Sequence, residues 1–393
     1  MTVTSIFSYR MSTGKSYLAL VVKRAYRIRP GARAEPAGEP EPITPEPIYE
    51  DSINPGAGHR LARDTDRFCP EKVLTDVLVR GSACSTRGPV TSLVAAIEVG
   101  AAKKQVRAVG DRKVALQAGG KIGFTRPEPF ERMPLLWDHA FGGRDAYAEA
   151  KLSDIGTPFN RQRSGLAGVQ DGMKSPKEGG WSVSYPRNIA GRGFFLDMDR
   201  ERLDGAPLPN LEDPADPVVP ERLVIDDVLD WMDLPVAACF EPIDAFTFPR
   251  TLFMLPHAAN SPKRPLYELS AGALLKADLE DTRLMKVPPN PRLYNCAPAG
   301  LAVCRLVGGE RVKLSNLHPR HETLQFELPA PRPRLLLEPP GCPAAEMSPH
   351  LQTVLIEPEE ERVTLTWSGK IETAAPFPKE MTRAIRHAAT FGR

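Results

Sequence analysis

The segment closest to a nucleotide-binding motif lies near the N-terminus, where Gly14, Lys15 and Ser16 match the end of a phosphate-binding loop. That motif also needs a glycine five positions before Gly14, so that backbone N–H groups can cradle the phosphates. Tyr9 occupies that position, and the residues before it give no strand signal. A flexible turn is therefore the simpler interpretation of this segment.

Three acidic residues, Asp197, Asp199 and Glu201, alternate along the chain as the ligands of a calcium-binding loop do. The sixth position of such a loop needs glycine for a sharp turn, and the twelfth supplies a bidentate glutamate. Here the sixth position is Arg202, and the twelfth is not glutamate. A solvated strand or turn is the better interpretation of these residues.

Two histidines three positions apart, His318 and His321, are the best candidates for transition-metal ligands. Structural zinc sites combine such a pair with a second tight pair of cysteines or histidines. Cys296 and Cys304 lie upstream, but their spacing does not match a zinc motif. We therefore expect a polar loop here, and neither a metal nor an organic cofactor in the protein.

Carboxylates could support hydrolysis if the fold brought two of them together, since glycoside hydrolases use pairs about 5–10 Å apart. Glu241, Asp244 and Glu310 are the candidates for such a pair. The nucleophile-elbow motif G-x-S-x-G does not occur, and no serine or cysteine can be assigned to the adjacent Asp138 and His139. We expect a protein that is not an enzyme, with a carboxylate-dependent hydrolase as the alternative.

The composition is that of a globular protein with an unusually high proline content. The chain has 393 residues, 41 of them proline, and prolines interrupt helices and central strands. Its net charge is only +2, so no global field favours nucleic acid or an anionic membrane as a partner. The first residues contain no apolar signal-peptide core, and no apolar run is long enough to span a membrane. We expect a cytoplasmic protein.

Short apolar and β-branched runs, bounded by proline and glycine, predict a mainly β protein of the β-rich α+β class, in which many proline-rich loops join strands and hairpins. Strands are expected at 17–28, 73–80, 90–100, 105–116, and in the segments TLQFELP and RPRLLLEP. Hairpins are expected over 301–317, turning at Gly308 and Gly309, and over 351–369, turning between Pro358 and Glu361. Gly110 and Asp111 are expected to form a further hairpin turn.

Helical periodicity is confined to two segments. In 221–234 the apolar residues fall on one helical face, although flanking prolines keep any helix short. In 379–392, Met381, Ile385 and Ala388 share a face near the C-terminus. We therefore expect one or two short helices, including a C-terminal one.

Strand signals are sparse between about residues 153 and 290, where the segment 153–193 is rich in glycine, serine and asparagine and is expected to be a long excursion. The signals then return. We expect an N-terminal β-rich region with long loops over 1–290 and a C-terminal β-hairpin region with a terminal helix over 291–393. A single continuous domain is the alternative.

Several segments, in the same order over about residues 15–370, resemble the domain-of-unknown-function 2169 family. The most specific is Met133-Pro134-Leu135-x-Trp137-x-x-Ala140-Phe141-Gly142-Gly143. The others are Gly81-Ser82-Ala83, Val109-Gly110-Asp111-Arg112, Asn188-x-x-Gly191-x-Gly193-Phe194, Leu208-Pro209-Asn210-Leu211-Glu212-x-Pro214, Tyr294-Asn295-Cys296-Ala297-Pro298, Asn316-Leu317-His318-Pro319 and Thr353-Val354-Leu355-Ile356-x-Pro358.

The resemblance implies a bacterial adaptor or chaperone of type VI secretion, without catalytic activity. Such a protein binds a secreted effector, often one that carries a PAAR tip domain, and helps to load it onto the spike. The expected partners are therefore the effector or its PAAR domain and the spike protein, with neither nucleic acid nor membrane. A structural component of the secretion apparatus is a further alternative.

The residues expected to contact a partner belong to two of these segments: Trp137, Phe141, Arg144, Asn188, Gly191 and Gly193. Aromatic and arginine side chains dominate binding hot spots, and glycines let a partner's backbone approach closely. The competing interpretation, which we favour for Trp137 and Phe141, is that the aromatic side chains fill the core while the glycines form turns.

Exposed strand edges offer a second way to bind, since a partner can add a strand to them. The two hairpins over 301–317 and 351–367 are the candidates, unless proline and charge protect their edges.

Overall fold

A computed structural model of the chain describes residues 1–10, 14–67, 72–154, 183–226, 231, 233–245, 247–248, 250, 294–304, 306–330, 332–341 and 343–391. These residues form the strand-rich structure with short helices that the sequence predicts. Most of the expected excursion over 153–193 lies outside the described residues. No helix in the described ranges has both the length and the apolar character needed to cross a membrane.

The first strands in chain order are β1 Thr2–Arg10, β2 Ser16–Arg27, β3 Glu35–Pro36, β4 Ile48–Asp51, β5 His59–Arg63, β6 Thr75–Val79, β7 Ser82–Cys84, β8 Ser92–Val99, β9 Ala102–Val109, β10 Val114–Gln117, β11 Lys121–Phe124 and β12 Arg132–Pro134. The middle strands are β13 Phe141–Gly142, β14 Arg192–Gly193, β15 Phe195–Leu196, β16 Leu211–Glu212, β17 Val224–Ile225 and β18 Ala302–Val303. The last strands are β19 Arg311–Ser315, β20 Thr323–Glu327, β21 Pro333–Glu338, β22 Ala345–Met347, β23 His350–Glu357, β24 Arg362–Thr373 and β25 Arg386–Phe391. Within the described ranges, the α-helices are α1 Ala146–Asp154 and α2 Lys379–Arg383, and the 3₁₀ helices are Trp137–His139, Arg200–Leu203 and Pro220–Arg222.

The largest sheet has the order β1-β2-β24-β23-β6-β18, with β3 paired to the end of β2. Strands β2 and β24 pair antiparallel over twelve residues, from Ser16 opposite Thr373 to Arg27 opposite Arg362. Side chains alternate between the two faces of a strand, so Leu18, Leu20 and Val22 share one face of β2. This face is apolar and fully buried.

The apolar face of the large sheet packs against two other sheets. A five-stranded sheet of order β16-β9-β8-β19-β20 shares one apolar cluster with it, which includes Ile97 and Leu314 on one side and Val354 and Leu365 on the other. A three-stranded sheet of order β22-β21-β25 covers the part around Leu18. The layers are therefore held together by burial of apolar side chains between sheets.

A separate apolar cluster holds the loop-rich middle of the chain together, where strands are only two residues long. Phe141, Tyr185 and Phe194 are buried in it, and the Tyr185 ring meets the rings of Phe141 and Phe194 at centroid distances of 5.1 and 5.9 Å. In this region the backbone is held in place by aromatic packing more than by hydrogen bonds between long strands.

Most of the predicted strands are confirmed, and so is the hairpin over 351–369, which is β23 and β24. The other hairpin prediction is wrong. Strand β18 pairs with β6, whereas β19 pairs with β8 and β20, so the 301–317 segment crosses from one sheet to another. The local glycine pair looked like a tight turn, but the partners are set by distant apolar strands.

Three further expectations are also corrected. The segment 221–234 starts with the end of the 3₁₀ helix Pro220–Arg222 and continues into β17, which pairs parallel with β15, and its described part contains no α-helix. The C-terminal helix ends at Arg383. Residues 386–391 form β25, which pairs with β21, and the alternate residues Ala389 and Phe391 pack against the apolar cluster of this sheet. Gly110 does not form a hairpin turn, since β9 and β10 belong to different sheets.

Candidate functional site

A cleft of about 360 Å³ lies beside the signature segment that contains Trp137. Its lining comes from three other parts of the chain: residues 49–61, residues 187–190 and residues 242–247. Trp137 and Asn188, two of the predicted contact residues, are part of that lining. Two of the six predicted site residues therefore face the cleft, and its volume is that of a small-ligand pocket.

Arg60 forms ion pairs with three carboxylates on one side of the cleft. Its Nε lies 3.0 Å from the Asp138 carboxylate, and its Nη1 donates to Glu241 at 2.8 Å. It also pairs with Glu50 at the surface. Asp138 and Glu241 are almost completely buried, so Arg60 supplies the charge compensation that buried carboxylates need.

Glu241 has the properties of a proton-exchanging group near neutral pH. Burial raises the pKa of Glu241 to about 7, although Arg60 and the backbone N–H of Trp137, 3.2 Å away, act to lower it. Both carboxylate oxygens are engaged, one by Arg60 and the other by that N–H. The group can therefore exchange a proton, but its position is that of a structural link between two segments.

Trp137 and Asn188 fix the backbone behind the cleft. The indole N–H of Trp137 donates to the Pro242 carbonyl at 2.9 Å. The side-chain amide of Asn188 donates to the carbonyls of Trp137 and Phe141 at 2.8 and 3.1 Å. Two separated sequence motifs are thereby joined by buried hydrogen bonds.

The glycines of these motifs allow backbone segments to approach each other. A Cβ on Gly142 would lie 2.1 Å from the Asn188 carbonyl oxygen, and one on Gly143 would lie 2.5 Å from the Gly191 carbonyl oxygen. These approaches occur inside the chain. The glycines thus serve internal packing.

The six predicted contact residues do not form an exposed patch. Phe141, Asn188, Gly191 and Gly193 are buried, and Trp137 is 8% exposed. Arg144 is exposed and binds Glu149 through Nε at 2.6 and 2.7 Å. The aromatic side chains therefore fill the core.

The mouth of the cleft carries polar side chains. The Tyr49 hydroxyl donates to Asp244 at 3.3 Å, and burial together with this carboxylate raises the pKa of Tyr49 to about 12. His59 lies at the surface with its Nδ1 2.7 Å from Asp51. Tyr49 therefore stays a neutral hydrogen-bond donor at ordinary pH.

Arg187 forms another part of the cleft wall and was not expected from the sequence. It is 8% exposed, and its guanidinium lies over the Trp231 ring at 4.9 Å from the centroid. Its Nη1 donates to the Tyr185 hydroxyl at 3.1 Å. A lone arginine belongs to no motif, so only the fold could reveal this position.

The three carboxylates considered for a hydrolytic pair line three different pockets. Glu310 caps the loop N–H groups of Val307 and Gly308 at 2.6 and 2.9 Å and lines a different depression. Asp244 lines the cleft, whereas Glu241 lines a smaller neighbouring pocket.

The motif fragments considered for nucleotide and metal binding are engaged in local contacts. Lys15 pairs with Glu372 at 2.9 Å, and a strand, β1, does precede it, contrary to expectation. The His318 ring accepts from the backbone N–H groups of Arg320 and His321. In the ranges described, no group of three His, Cys, Asp or Glu side chains is placed to hold a metal ion.

The Tyr294–Pro298 motif encloses a second buried charge. Asp76 accepts from the Asn295 side chain and the Cys296 backbone, both at 2.9 Å, and pairs with Lys72 at 2.8 Å. Burial would raise the pKa of Asp76, but Lys72 and these donors outweigh it, so the pKa is lowered. The motif thus anchors β6 to the segment after residue 293.

Comparison with known proteins agrees with this distribution of motifs. Residues 13–368 match the family described as an uncharacterized protein conserved in bacteria (DUF2169). No curated protein and no solved structure is significantly similar to the chain. Because the match covers nearly the whole chain, including every motif of the cleft and of the Asp76 anchor, the protein belongs to this family of uncharacterized bacterial proteins.

Proposed function

We propose that this protein is a cytoplasmic, non-enzymatic adaptor that binds a type VI secretion effector and assists its loading onto the spike. The effector would carry a PAAR tip domain, and the spike protein would be the second partner. The proposal starts from the resemblance of this chain to its family, which implies a secretion adaptor. The structural feature that supports it is the outer edge of β1, which pairs with no described strand.

Strand β1 is a nine-residue edge strand. It pairs along its whole length with β2, from Thr2 opposite Arg24 to Arg10 opposite Ser16. Its other edge forms no ladder with any described strand, and α2 lies beside it. Such an edge presents a row of backbone donors and acceptors on which a partner's extended segment can add as a strand.

The residues of β1 do not protect this edge. Edge strands are usually protected by proline, by inward-pointing charge or by a covering loop. Strand β1 contains no proline and no acidic residue, and its only charged side chain is Arg10 at the end. By contrast, the edge of β20 is covered by the backbone of Ala32 and Ala34, which bonds to Glu327.

The proposal is tested by co-expressing the tagged protein with the PAAR-bearing effector encoded beside it, followed by pull-down and size-exclusion chromatography. We expect a stoichiometric complex and an effector that is less soluble when expressed alone. Two well-folded proteins that do not associate would contradict the proposal.

The edge is tested with Ser5→Lys and Phe7→Lys together, which place two charges in the middle of β1. We expect the complex to weaken by at least about tenfold, because a charged edge disfavours strand addition. The matched control is Thr323→Lys with Gln325→Lys on the covered edge strand β20, which should leave the complex unchanged. Equal affinity of both double variants would show that β1 is not the docking edge.

A carboxylate-dependent hydrolase is the second candidate function, and the pKa of Glu241 near 7 favours it, since general acids work best near the ambient pH. The contacts of Glu241 with Arg60 and Trp137 favour a structural role instead. Hydrolysis of carbohydrate or peptide substrates that is lost in Glu241→Gln would support the enzyme. If the protein were a structural component of the secretion apparatus, it would remain bound to spikes that have been sheared off the cells.

A further inference from the structure

Three large apolar side chains lie exposed within a short distance of each other, in β4 and in the turn that follows it. Ile48, Tyr49 and Ile53 are 45%, 40% and 58% exposed. Six residues of chain span at most about 20 Å, so one segment of a partner can contact all three side chains. Single exposed apolar residues are ordinary, whereas several within such a distance indicate an interaction surface.

The turn after β4 is fixed against the two motifs that meet at the cleft. The side-chain amide of Asn54 donates to the carbonyls of Asp138 and Ala190 at 2.8 and 2.7 Å. The Ser52 hydroxyl donates to the Ala190 carbonyl at 2.9 Å, and the backbone N–H of Ile53 donates to the Asp138 carboxylate at 2.8 Å. Ile53 therefore combines a fixed backbone with an exposed side chain, and a surface that is ordered before binding loses little entropy when a partner arrives.

The same part of the chain is acidic. Residues 34–58 include six carboxylates and no lysine, arginine or histidine. Glu46 is exposed and has no ion-pair partner among the described residues. The Asp51 carboxylate is 89% exposed and pairs with His59, which carries a charge only when it is protonated. The exposed apolar side chains therefore lie in a negatively charged environment.

Glu50 adds to this negative charge, because its cation is shared. Its side chain is 56% exposed and pairs with Arg60, which also pairs with the buried Asp138 and Glu241. Even when Glu241 is protonated, one guanidinium balances only one of the two remaining carboxylates. A cationic group of a partner would therefore be attracted here.

Tyr49 gives this surface an aromatic side chain at the mouth of the cleft. The face of an aromatic ring attracts ammonium and guanidinium groups. Arginine is also enriched among the residues that dominate protein interfaces. Aromatic, apolar and acidic side chains together match a partner that presents cations beside apolar groups.

We propose that a hairpin surface binds a segment of a protein partner that carries arginine or lysine beside apolar side chains. The hairpin surface consists of Glu46, Ile48, Tyr49, Glu50, Asp51 and Ile53. The segment's apolar side chains cover Ile48 and Ile53, and its cations contact the carboxylates and Tyr49. The inference rests on the proposed adaptor function for the identity of the partner, and β4 belongs to a different sheet from the β1 edge.

The effector complex tests the charges of this surface. Glu46→Lys with Asp51→Lys should weaken the complex by at least about tenfold, because the basic segment would then meet like charge. Glu201→Lys with Glu360→Lys changes the net charge equally at other exposed positions and should leave the affinity unchanged.

The apolar contribution is tested with single substitutions. Ile53→Ser should weaken the complex by about tenfold, because the side chain no longer buries apolar area. Val307→Ser is the matched control, since Val307 is an exposed apolar residue outside the hairpin surface, and it should have no effect.

A peptide tests the surface without the effector. In fluorescence anisotropy titrations, a labelled peptide of sequence LRIRL should bind the wild-type protein saturably, and LEIEL should not bind. The affinity for LRIRL should fall by at least about tenfold in the Glu46→Lys, Asp51→Lys variant and stay unchanged in the Glu201→Lys, Glu360→Lys variant.

The outcomes separate this inference from the adaptor function. A complex that forms but is indifferent to Ile53→Ser and to charge reversal at Glu46 and Asp51 would overturn the inference and leave the adaptor function standing. A complex weakened by these variants supports the hairpin surface even if LRIRL does not bind. Selective binding of LRIRL without any effector complex would support the surface while the adaptor function fails. With neither a complex nor selective peptide binding, both proposals are wrong.

Discussion

Arg60 shows how single residues connect distant parts of this chain. It reaches Asp138 and Glu241, which belong to segments that meet only in the folded protein. Removing one partner from such a buried group leaves an uncompensated charge, which is unfavourable by several kcal/mol, whereas an exposed pair such as Lys15 and Glu372 contributes little. The stability of the cleft therefore depends on a few buried charges.

Glu241 should give the protein a specific pH dependence. The pKa of this carboxyl is about 7 in the folded state and near its ordinary value of 4.5 when unfolded. The folded protein therefore holds the proton more tightly, and this stabilisation is present below about pH 4.5 and lost as pH rises through 7. Relative to Glu241→Gln, the free energy of unfolding of the wild type should fall by up to about 3 kcal/mol between pH 4.5 and 8.

Urea titrations at several pH values measure this difference, with the exposed Glu39→Gln as the control that keeps the wild-type profile. Parallel profiles of wild type and Glu241→Gln would show that Glu241 stays ionised over the whole range.

At the residue scale, the sequence predicted some members of the site but not their roles. Trp137 and Asn188 were found because they stand in recognisable motifs, and the burial favoured for Trp137 and Phe141 is observed. Arg60 and Arg187 were missed because an isolated arginine carries no pattern, and its partners are defined only by the fold.

At the scale of elements, the positions of long apolar strands were predictable from the sequence, whereas the partners with which strands pair were not. Strand β2 was evident from its run of Leu and Val, whereas β1 was missed because serine and threonine alternate with its few apolar residues. The prediction of a hairpin over 301–317 was wrong for the opposite reason. Its glycines gave a strong local turn signal, but β18 and β19 find their partners far away in the sequence.

Gly110 is an element-scale feature that can be tested directly. A Cβ at this position would lie 1.7 Å from the Glu128 carbonyl oxygen, so the loop that follows β9 would have to move. We expect Gly110→Ala to lower the free energy of unfolding by about 3 kcal/mol, measured by urea denaturation. Gly38→Ala, where nothing lies within 4 Å of the added Cβ, should change it by less than about 0.5 kcal/mol. Similar small effects of both variants would contradict this packing.

At the scale of the whole molecule, the large sheet combines the two ends of the chain. Strands β1, β2 and β6 come from the region over 1–290, and β18, β23 and β24 come from the region over 291–393. Cys296 and Ala297 donate to Asp76 across the same boundary. This pairing favours the single continuous unit over two separable domains.

The two regions should therefore not fold separately. Residues 1–290 expressed alone would leave the apolar β2 without β24, so we expect aggregation and no cooperative thermal transition. Co-expression of 1–290 with 291–393 should yield a complex that melts cooperatively. A cooperative transition in 1–290 alone, followed by circular dichroism, would instead support an independent N-terminal domain.

The pairing of β2 with β24 also has a consequence for synthesis in the cell. Arg27 emerges from the ribosome about 335 residues before its partner Arg362. At translation rates of about 5–20 residues per second, roughly 20–70 seconds pass between the synthesis of β2 and that of β24, which pairs with its edge. A nascent chain of this protein is thus exposed to holdase chaperones and to misassembly for longer than a chain whose neighbouring strands follow each other closely.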